Sequence, residues 1–127
     1  MKVGTMTPEA ILAFPARVLT QKQREAYFET GYALIESLIP AEVIDHLNGV
    51  TESFIEKSRS LTQSDRDLDI GPGHTSAKPV VRRLTAPDRM HDAYWEFANG
   101  IIGDAAADML GPDVTFNHSK LNFKWSD

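Results

Sequence analysis

The stretch Leu19–Pro40, LTQKQREAYFETGYALIESLIP, determines how the first half of this chain is interpreted. Thr20 and Gln23 have the spacing of a capping box, in which the hydroxyl accepts from one backbone N–H and the amide side chain bonds back to another. Good helix formers follow, and Gly31 supplies the left-handed residue with which many helices end. The pattern therefore predicts a helix over residues 21–30.

Four apolar residues, Tyr32–Ile35, come directly after that predicted helix end. Such a short run favours a buried strand over a second helix, so we expect a strand at 32–36. Pro40 suits the first position of the next helix, where its missing N–H costs nothing. Residues 41–58 are then expected to form the longest helix. Its apolar residues at helical spacing are Val43, Leu47, Val50 and Phe54.

The second half of the chain predicts two further strands and two further helices. Two β-branched residues followed by two arginines predict a strand at 79–84. Helices are expected at 88–98 and 101–110, separated by Asn99-Gly100. The last predicted element of secondary structure is a strand that covers 113–124.

Side chains alternate along that last strand, so one face is polar and cationic while the other is apolar. The polar face bears Lys120, Asn122 and Lys124, and the apolar face bears Leu121, Phe123 and Trp125. In a sheet packed on an ordinary core the polar face is wet, whereas in a small ligand-binding barrel it lines the cavity. The chain also has three apolar helical stripes that need a sheet to cover, and the residues alone leave both arrangements open.

A long polar connection is expected at residues 60–77. Its carboxylates at Asp65, Asp67 and Asp69 lack the spacing of a calcium loop and predict a solvated surface. Long loops in compact domains also serve as active-site lids, and in that role His74 would be the most reactive side chain. Both interpretations of this segment stay open.

Composition excludes several classes of function. The 127 residues correspond to one domain or part of one, and the formal net charge of −5 gives no basic field for nucleic acid. The absence of cysteine excludes disulfides, thiolate nucleophiles and cysteine-bound metals. Residues 1–18 lack a long apolar run and predict an ordered leader, neither a signal peptide nor a membrane span. We therefore expect a cytoplasmic protein without a membrane partner.

Residues 19–127 resemble the amino-terminal part of the phytanoyl-CoA dioxygenase family. The capped LTxxQ helix is followed by Gly-Tyr, a short apolar strand and Leu-Ile-Pro, and then by KPVVRRL at 78–84, LGPDV at 110–114 and LNFK at 121–124. Members of that family are non-haem Fe(II), 2-oxoglutarate-dependent oxygenases with a double-stranded β-helix fold. The resemblance implies an α+β chain in which amino-terminal helices pack on part of such a jelly-roll barrel, with residues 1–18 outside the domain.

The resemblance also implies a reaction and a set of binding residues. Such enzymes use Fe(II) and 2-oxoglutarate to hydroxylate or otherwise oxidise a small-molecule substrate, and release succinate and CO₂. The positions that align with co-substrate contacts are Arg82, Lys120 and Lys124, with Arg82 on the side of the lysines and Arg83 on the other. No histidine is followed two residues later by Asp or Glu, so we expect the iron ligands downstream of this chain.

Two functional hypotheses follow. In the first, the sequence is the amino-terminal portion of such a dioxygenase and is inactive by itself. In the second, it is a non-catalytic α+β binding or interaction module that retains only the first half of the fold. The sequence ends at Asp127, directly after a predicted strand, which favours the first hypothesis.

Overall fold

The computed structural model describes residues 6–125 and combines helices with a small antiparallel sheet of three strands. The predicted mixed α+β class is therefore confirmed. The chain divides into two compact units. Unit 1 comprises residues 6–40 and Phe97–Phe116, and unit 2 comprises Ala41–Glu96 and residues 117–125.

The helices are α1 (Pro8–Leu12), α2 (Gln21–Thr30), α3 (Ala41–Ser58), α4 (Pro87–Met90), α5 (Asp92–Phe97) and α6 (Gly103–Leu110), with a π-helical turn at Ala98–Ile102. The strands are β1 (Leu68–Ile70), β2 (Val81–Leu84) and β3 (Leu121–Asn122). None of the helices within residues 6–125 combines the length and the apolarity that a membrane crossing requires.

Helix α2 begins and ends as the sequence predicts. The hydroxyl of Thr20 accepts from the Gln23 backbone N–H, and the Gln23 side-chain oxygen accepts from the Thr20 backbone N–H. Gly31 ends the helix with a φ of +84°, in the left-handed region that favours glycine. The predicted boundaries of α2 and α3 are both confirmed.

The interior of unit 1 is built around a buried arginine. Arg24 is 1% exposed, and its Nε donates to the carbonyl oxygen of Asp108 at 2.8 Å. Its terminal nitrogens donate to the carbonyl oxygens of Ile11 and Phe14 and to the side-chain oxygen of Gln21. A buried guanidinium is tolerated only when its donors are paired, so these bonds tie α1, α2 and α6 to one another.

The carboxylate of Asp108 accepts three consecutive backbone N–H groups. Arg17 donates to Oδ1 at 2.8 Å, while Val18 and Leu19 donate to Oδ2 at 2.9 Å each. Burial raises the pKa of Asp108, but the three N–H donors and the nearby Arg24 guanidinium outweigh burial and hold that pKa below its ordinary value. One side chain on α6 thereby fixes the segment that leads into α2.

Two rows of paired residues define the sheet of unit 2, whose strand order is β1-β2-β3. The apolar row consists of Leu68, Leu84 and Leu121. The polar row consists of Asp69, Arg83 and Asn122. Residues that stand opposite each other share a face, and successive residues on a strand face opposite sides. The two rows therefore mark the two faces of the sheet.

The apolar row lies on the buried face, against α3 and α5. Leu68 and Leu84 are both almost completely buried, and they share one core with Val50 of α3 and Tyr94 of α5. The Tyr94 hydroxyl bonds to Thr51 Oγ1 at 2.7 Å, and burial raises the pKa of Tyr94 in spite of that bond. The helices thus cover the apolar face, as expected from their stripes.

Two of the predicted strands differ from the structure. Residues 32–36 form no strand, and the side chains of Tyr32 and Leu34 are exposed. The strand predicted at 113–124 is reduced to the two residues of β3. Apolar or alternating residues do not suffice for a strand, because an extended backbone also needs a partner for its N–H and C=O groups.

The predicted helices 88–98 and 101–110 are also interrupted. His91 is extended, with φ −158° and ψ 139°, and separates α4 from α5. Its Nδ1 accepts the Ala93 N–H, which satisfies a donor at the start of α5. The second helix becomes regular only at Gly103, after the π-helical turn. Strand β1, by contrast, lies inside the connection 60–77, where the sequence predicts only a polar loop.

We predict that Asp108→Asn destabilises the protein by about 2–3 kcal/mol at neutral pH, because an amide nitrogen would face backbone donors. The lowered pKa stabilises the fold above the ordinary Asp pKa of about 3.9, and this stabilisation is lost as pH falls through the folded-state pKa. The difference between the variant and the unsubstituted protein should therefore shrink in acid. Denaturant unfolding at neutral and acidic pH measures it.

Asp104→Asn is the matched control, because the bond that Asp104 forms within residues 6–125 is an exposed ion pair with Arg17 at 3.2 Å. It should change the free energy of unfolding by about 0–1 kcal/mol. Equal effects of the two substitutions would contradict the role given to Asp108.

Candidate functional site

The polar row of the sheet is the candidate site, because it is the face that the core of unit 2 does not use. Asp69 and Arg83 are directly paired on β1 and β2, and Asn122 stands opposite Arg83 on β3. Opposite charges on paired strands attract, and an amide beside them can both donate and accept. The row therefore offers a cation, a carboxylate and an amide on one surface.

The guanidinium of Arg83 is held by one carboxylate. Its Nη2 donates to Asp69 Oδ2 at 3.2 Å, and Asp69 Oδ1 in turn accepts from the Ser64 hydroxyl at 3.1 Å. The Arg83 side chain is 40% exposed, yet its Nε is buried and has no hydrogen-bond partner within residues 6–125. A guanidinium that is held on one side by a carboxylate and is partly exposed can offer its exposed donors to an anionic ligand.

Arg82 occupies a β-bulge. The register pairs Asp69 with Arg83 and Ile70 with Val81, so Arg82 is an extra residue on β2. This explains how Val81 and Leu84 can both be fully buried although simple alternation would separate them. The sequence interpretation groups Arg82 with the lysine face. In the register of the structure it is Arg83 that stands opposite Asn122.

The side chain of Arg82 is exposed and lies over Gly71. A Cβ added at Gly71 would stand 2.8 Å from Arg82 Cγ and 2.9 Å from Cδ, closer than carbon atoms pack. A side chain at this position, directly after β1, would therefore push the stem of Arg82 aside.

Lys120 and Lys124 flank Asn122 and are both exposed. The Phe123 N–H donates to the Arg82 carbonyl at 2.9 Å, so the chain remains bonded to β2 for one residue beyond β3. The indole N–H of Trp125 then donates to the Val81 carbonyl at 2.7 Å. The structure thus brings the segment that carries the two lysines alongside β2.

His74 has a structural role that the lid hypothesis does not include. Its Nδ1 accepts the Val80 backbone N–H at 2.8 Å, and its Nε2 stands 2.9 Å from the Ser58 carbonyl oxygen. A backbone N–H can only donate and a carbonyl can only accept, so the neutral ring carries its proton on Nε2. His74 therefore fastens the loop before β2 to the end of α3.

The remaining histidines do not assemble a metal centre. His46 and His91 have ring centroids 6.4 Å apart, and His118 is exposed. The Nδ1 of His91 already accepts from the Ala93 N–H. Within residues 6–125 no group of three or more His, Cys, Asp or Glu side chains could hold a metal ion.

Comparisons with protein-family models, with curated proteins and with solved structures found no match to this chain.

The polar row cannot be recognised in the sequence, because β1 lies within a polar loop. Only the alternation of Leu68, Asp69 and Ile70 signals a strand there, and a run of three residues is too short to distinguish from a turn. The bulge at Arg82 has no recognisable sequence signal either. Without these two facts, the partner of Arg83 could not be identified.

We predict that His74→Ala lowers the free energy of unfolding by about 1–3 kcal/mol, because the Val80 N–H and the Ser58 carbonyl would lose their partner. Chemical denaturation measures this loss. His118→Ala is the control, because His118 is exposed, and it should change stability by less than about 0.5 kcal/mol. Similar small losses in both variants would mean that the His74 bonds contribute nothing.

Proposed function

We propose that this chain is the amino-terminal portion of a non-haem Fe(II)/2-oxoglutarate-dependent dioxygenase of the phytanoyl-CoA dioxygenase type. The intact enzyme would hydroxylate or otherwise oxidise a small-molecule substrate, with succinate and CO₂ as by-products. The three strands of unit 2 would then belong to a double-stranded β-helix. The observation that carries the proposal is the order and spacing of the family's motifs along residues 19–124.

The sheet supports the proposal through its two faces. Helices α3 and α5 cover the apolar row, and the polar row is on the opposite face. A barrel that binds a polar ligand shares this arrangement with an ordinary sheet whose polar face is solvated, so the two faces are compatible with the proposal. The shortness of β3 is the feature that fits least, because a barrel needs a longer strand at residues 113–124.

The residues fit the co-substrate better than they fit the metal. 2-Oxoglutarate is a dianion, and Arg82, Lys120 and Lys124 are the cations that the family alignment proposes for it. The register adds Arg83, whose side chain is 40% exposed and which stands opposite Asn122 in the polar row. The same part lacks a suitable iron ligand set, so the Fe(II) ligands would have to come from outside these residues.

Two measurements test the proposal. The reading frame that encodes this chain should continue beyond Asp127 and supply a His-x-Asp motif and a distal histidine. Residues 1–127 alone should show no stoichiometric anaerobic Fe(II) binding and no succinate formation, whereas the longer protein should show both. A reading frame that stops at Asp127, or tight equimolar iron binding by residues 1–127, would overturn the assignment.

Alanine variants of the longer protein then identify the arginine that binds the co-substrate. Because Arg83 lies in the polar row, Arg83→Ala should weaken 2-oxoglutarate binding by about 1.5–3 kcal/mol, the contribution of a charge-assisted hydrogen bond. Arg82→Ala should cost about 0–1 kcal/mol, as for an exposed charge. Calorimetric titration gives both values, and a larger loss from Arg82 would restore the family alignment over the register.

A further inference from the structure

The chain contains two Asn-Gly sequences in different backbone settings. Asn48-Gly49 lies in the middle of α3, and Asn99-Gly100 lies in the π-helical turn before α6. We propose that Asn99 is a site of spontaneous covalent modification, where the side-chain amide is converted through a succinimide to aspartate and isoaspartate. Asn48 is protected from the same reaction. This inference is independent of the proposed function.

The reaction needs only water and the backbone. The backbone nitrogen of the glycine attacks the side-chain carbonyl carbon of the asparagine, a C–N bond forms, and the side-chain nitrogen leaves as ammonia with the proton of the glycine N–H. Water then opens the five-membered imide at either carbonyl, which produces aspartate or isoaspartate. Glycine favours the first step because it has no side chain to obstruct the attacking nitrogen.

The backbone distinguishes the two sites. In α3 the peptide of Gly49 belongs to an uninterrupted helix of 18 residues, in which its N–H is bonded to the carbonyl four residues earlier. Gly100, in contrast, has φ −91° and ψ −106°, outside the helical region. Asn99 is exposed, and a Cβ built at Gly100 would meet no heavy atom within 4 Å. The helical course is interrupted at Gly100, directly after Asn99, so less local opening is needed there than in the middle of α3 before the glycine nitrogen can reach the side-chain carbonyl.

Both glycines have open surroundings, so steric access alone does not separate the sites. The sequences are also similar, with an alanine or leucine before each asparagine and an isoleucine or valine after each glycine. What differs is the regular hydrogen bonding of α3, which must open locally before Asn48 can react. The backbone conformation therefore determines which of the two chemically similar asparagines is deamidated faster.

The test follows both sites in one sample. The native protein is incubated at mildly alkaline pH, and peptide mapping by mass spectrometry quantifies deamidation at each asparagine, with isoaspartyl methyltransferase labelling for isoaspartate. Asn99 should convert about tenfold faster than Asn48 or more, because Asn48 waits for local unfolding. In guanidinium the two rates should converge. The Asn99→Gln variant should lose the fast phase and keep the slow one.

Two results would overturn the proposal. The first is conversion of Asn48 in the native protein at the rate of Asn99 or faster. The second is a difference between the sites that persists in guanidinium, because it would then come from the neighbouring residues and not from the backbone conformation.

Discussion

The cross-strand pairing of Leu68 with Leu84, and of Asp69 with Arg83, is the constraint on which unit 2 depends. A shift of one residue would move every side chain of the strand to the other face, so Arg83 would enter the core and Leu84 would face outward. Burial of an unpaired charge costs several kcal/mol, which makes the alternative register unfavourable. The helices α3 and α5 have a surface to cover only because this register places the leucines together.

The bulge at Arg82 makes that register compatible with the sequence of β2. Strict alternation would place Val81 and Leu84 on opposite faces, yet both are fully buried. One extra residue on the strand reconciles them, and Gly71 provides the space over which the stem of Arg82 extends. The same bulge determines which arginine shares a face with Asn122. It therefore also determines which arginine we propose as the one that binds the co-substrate.

The sequence predicts the parts of the fold that depend on local chemistry. The capping box at Thr20 and the glycine that ends α2 give its boundaries, and a regular apolar stripe gives α3. Predictions that depend on a distant partner are less successful. Residues 32–36 have the composition of a strand but no strand beside them, and β1 is recognisable only through its pairing with β2. The polar row combines residues from three segments that are distant in the sequence, so the sequence of no single segment predicts it.

Disulfide trapping tests the register most directly, because the chain contains no cysteine of its own. The bond from the Phe123 N–H to the Arg82 carbonyl makes Arg83 and Asn122 a non-hydrogen-bonded pair, whose Cα atoms lie about 4.5 Å apart. That separation suits a disulfide. Arg83→Cys combined with Asn122→Cys should therefore crosslink under mild oxidation, while Arg82→Cys with Asn122→Cys should not. Preferential crosslinking of the second pair would contradict the two-faced sheet.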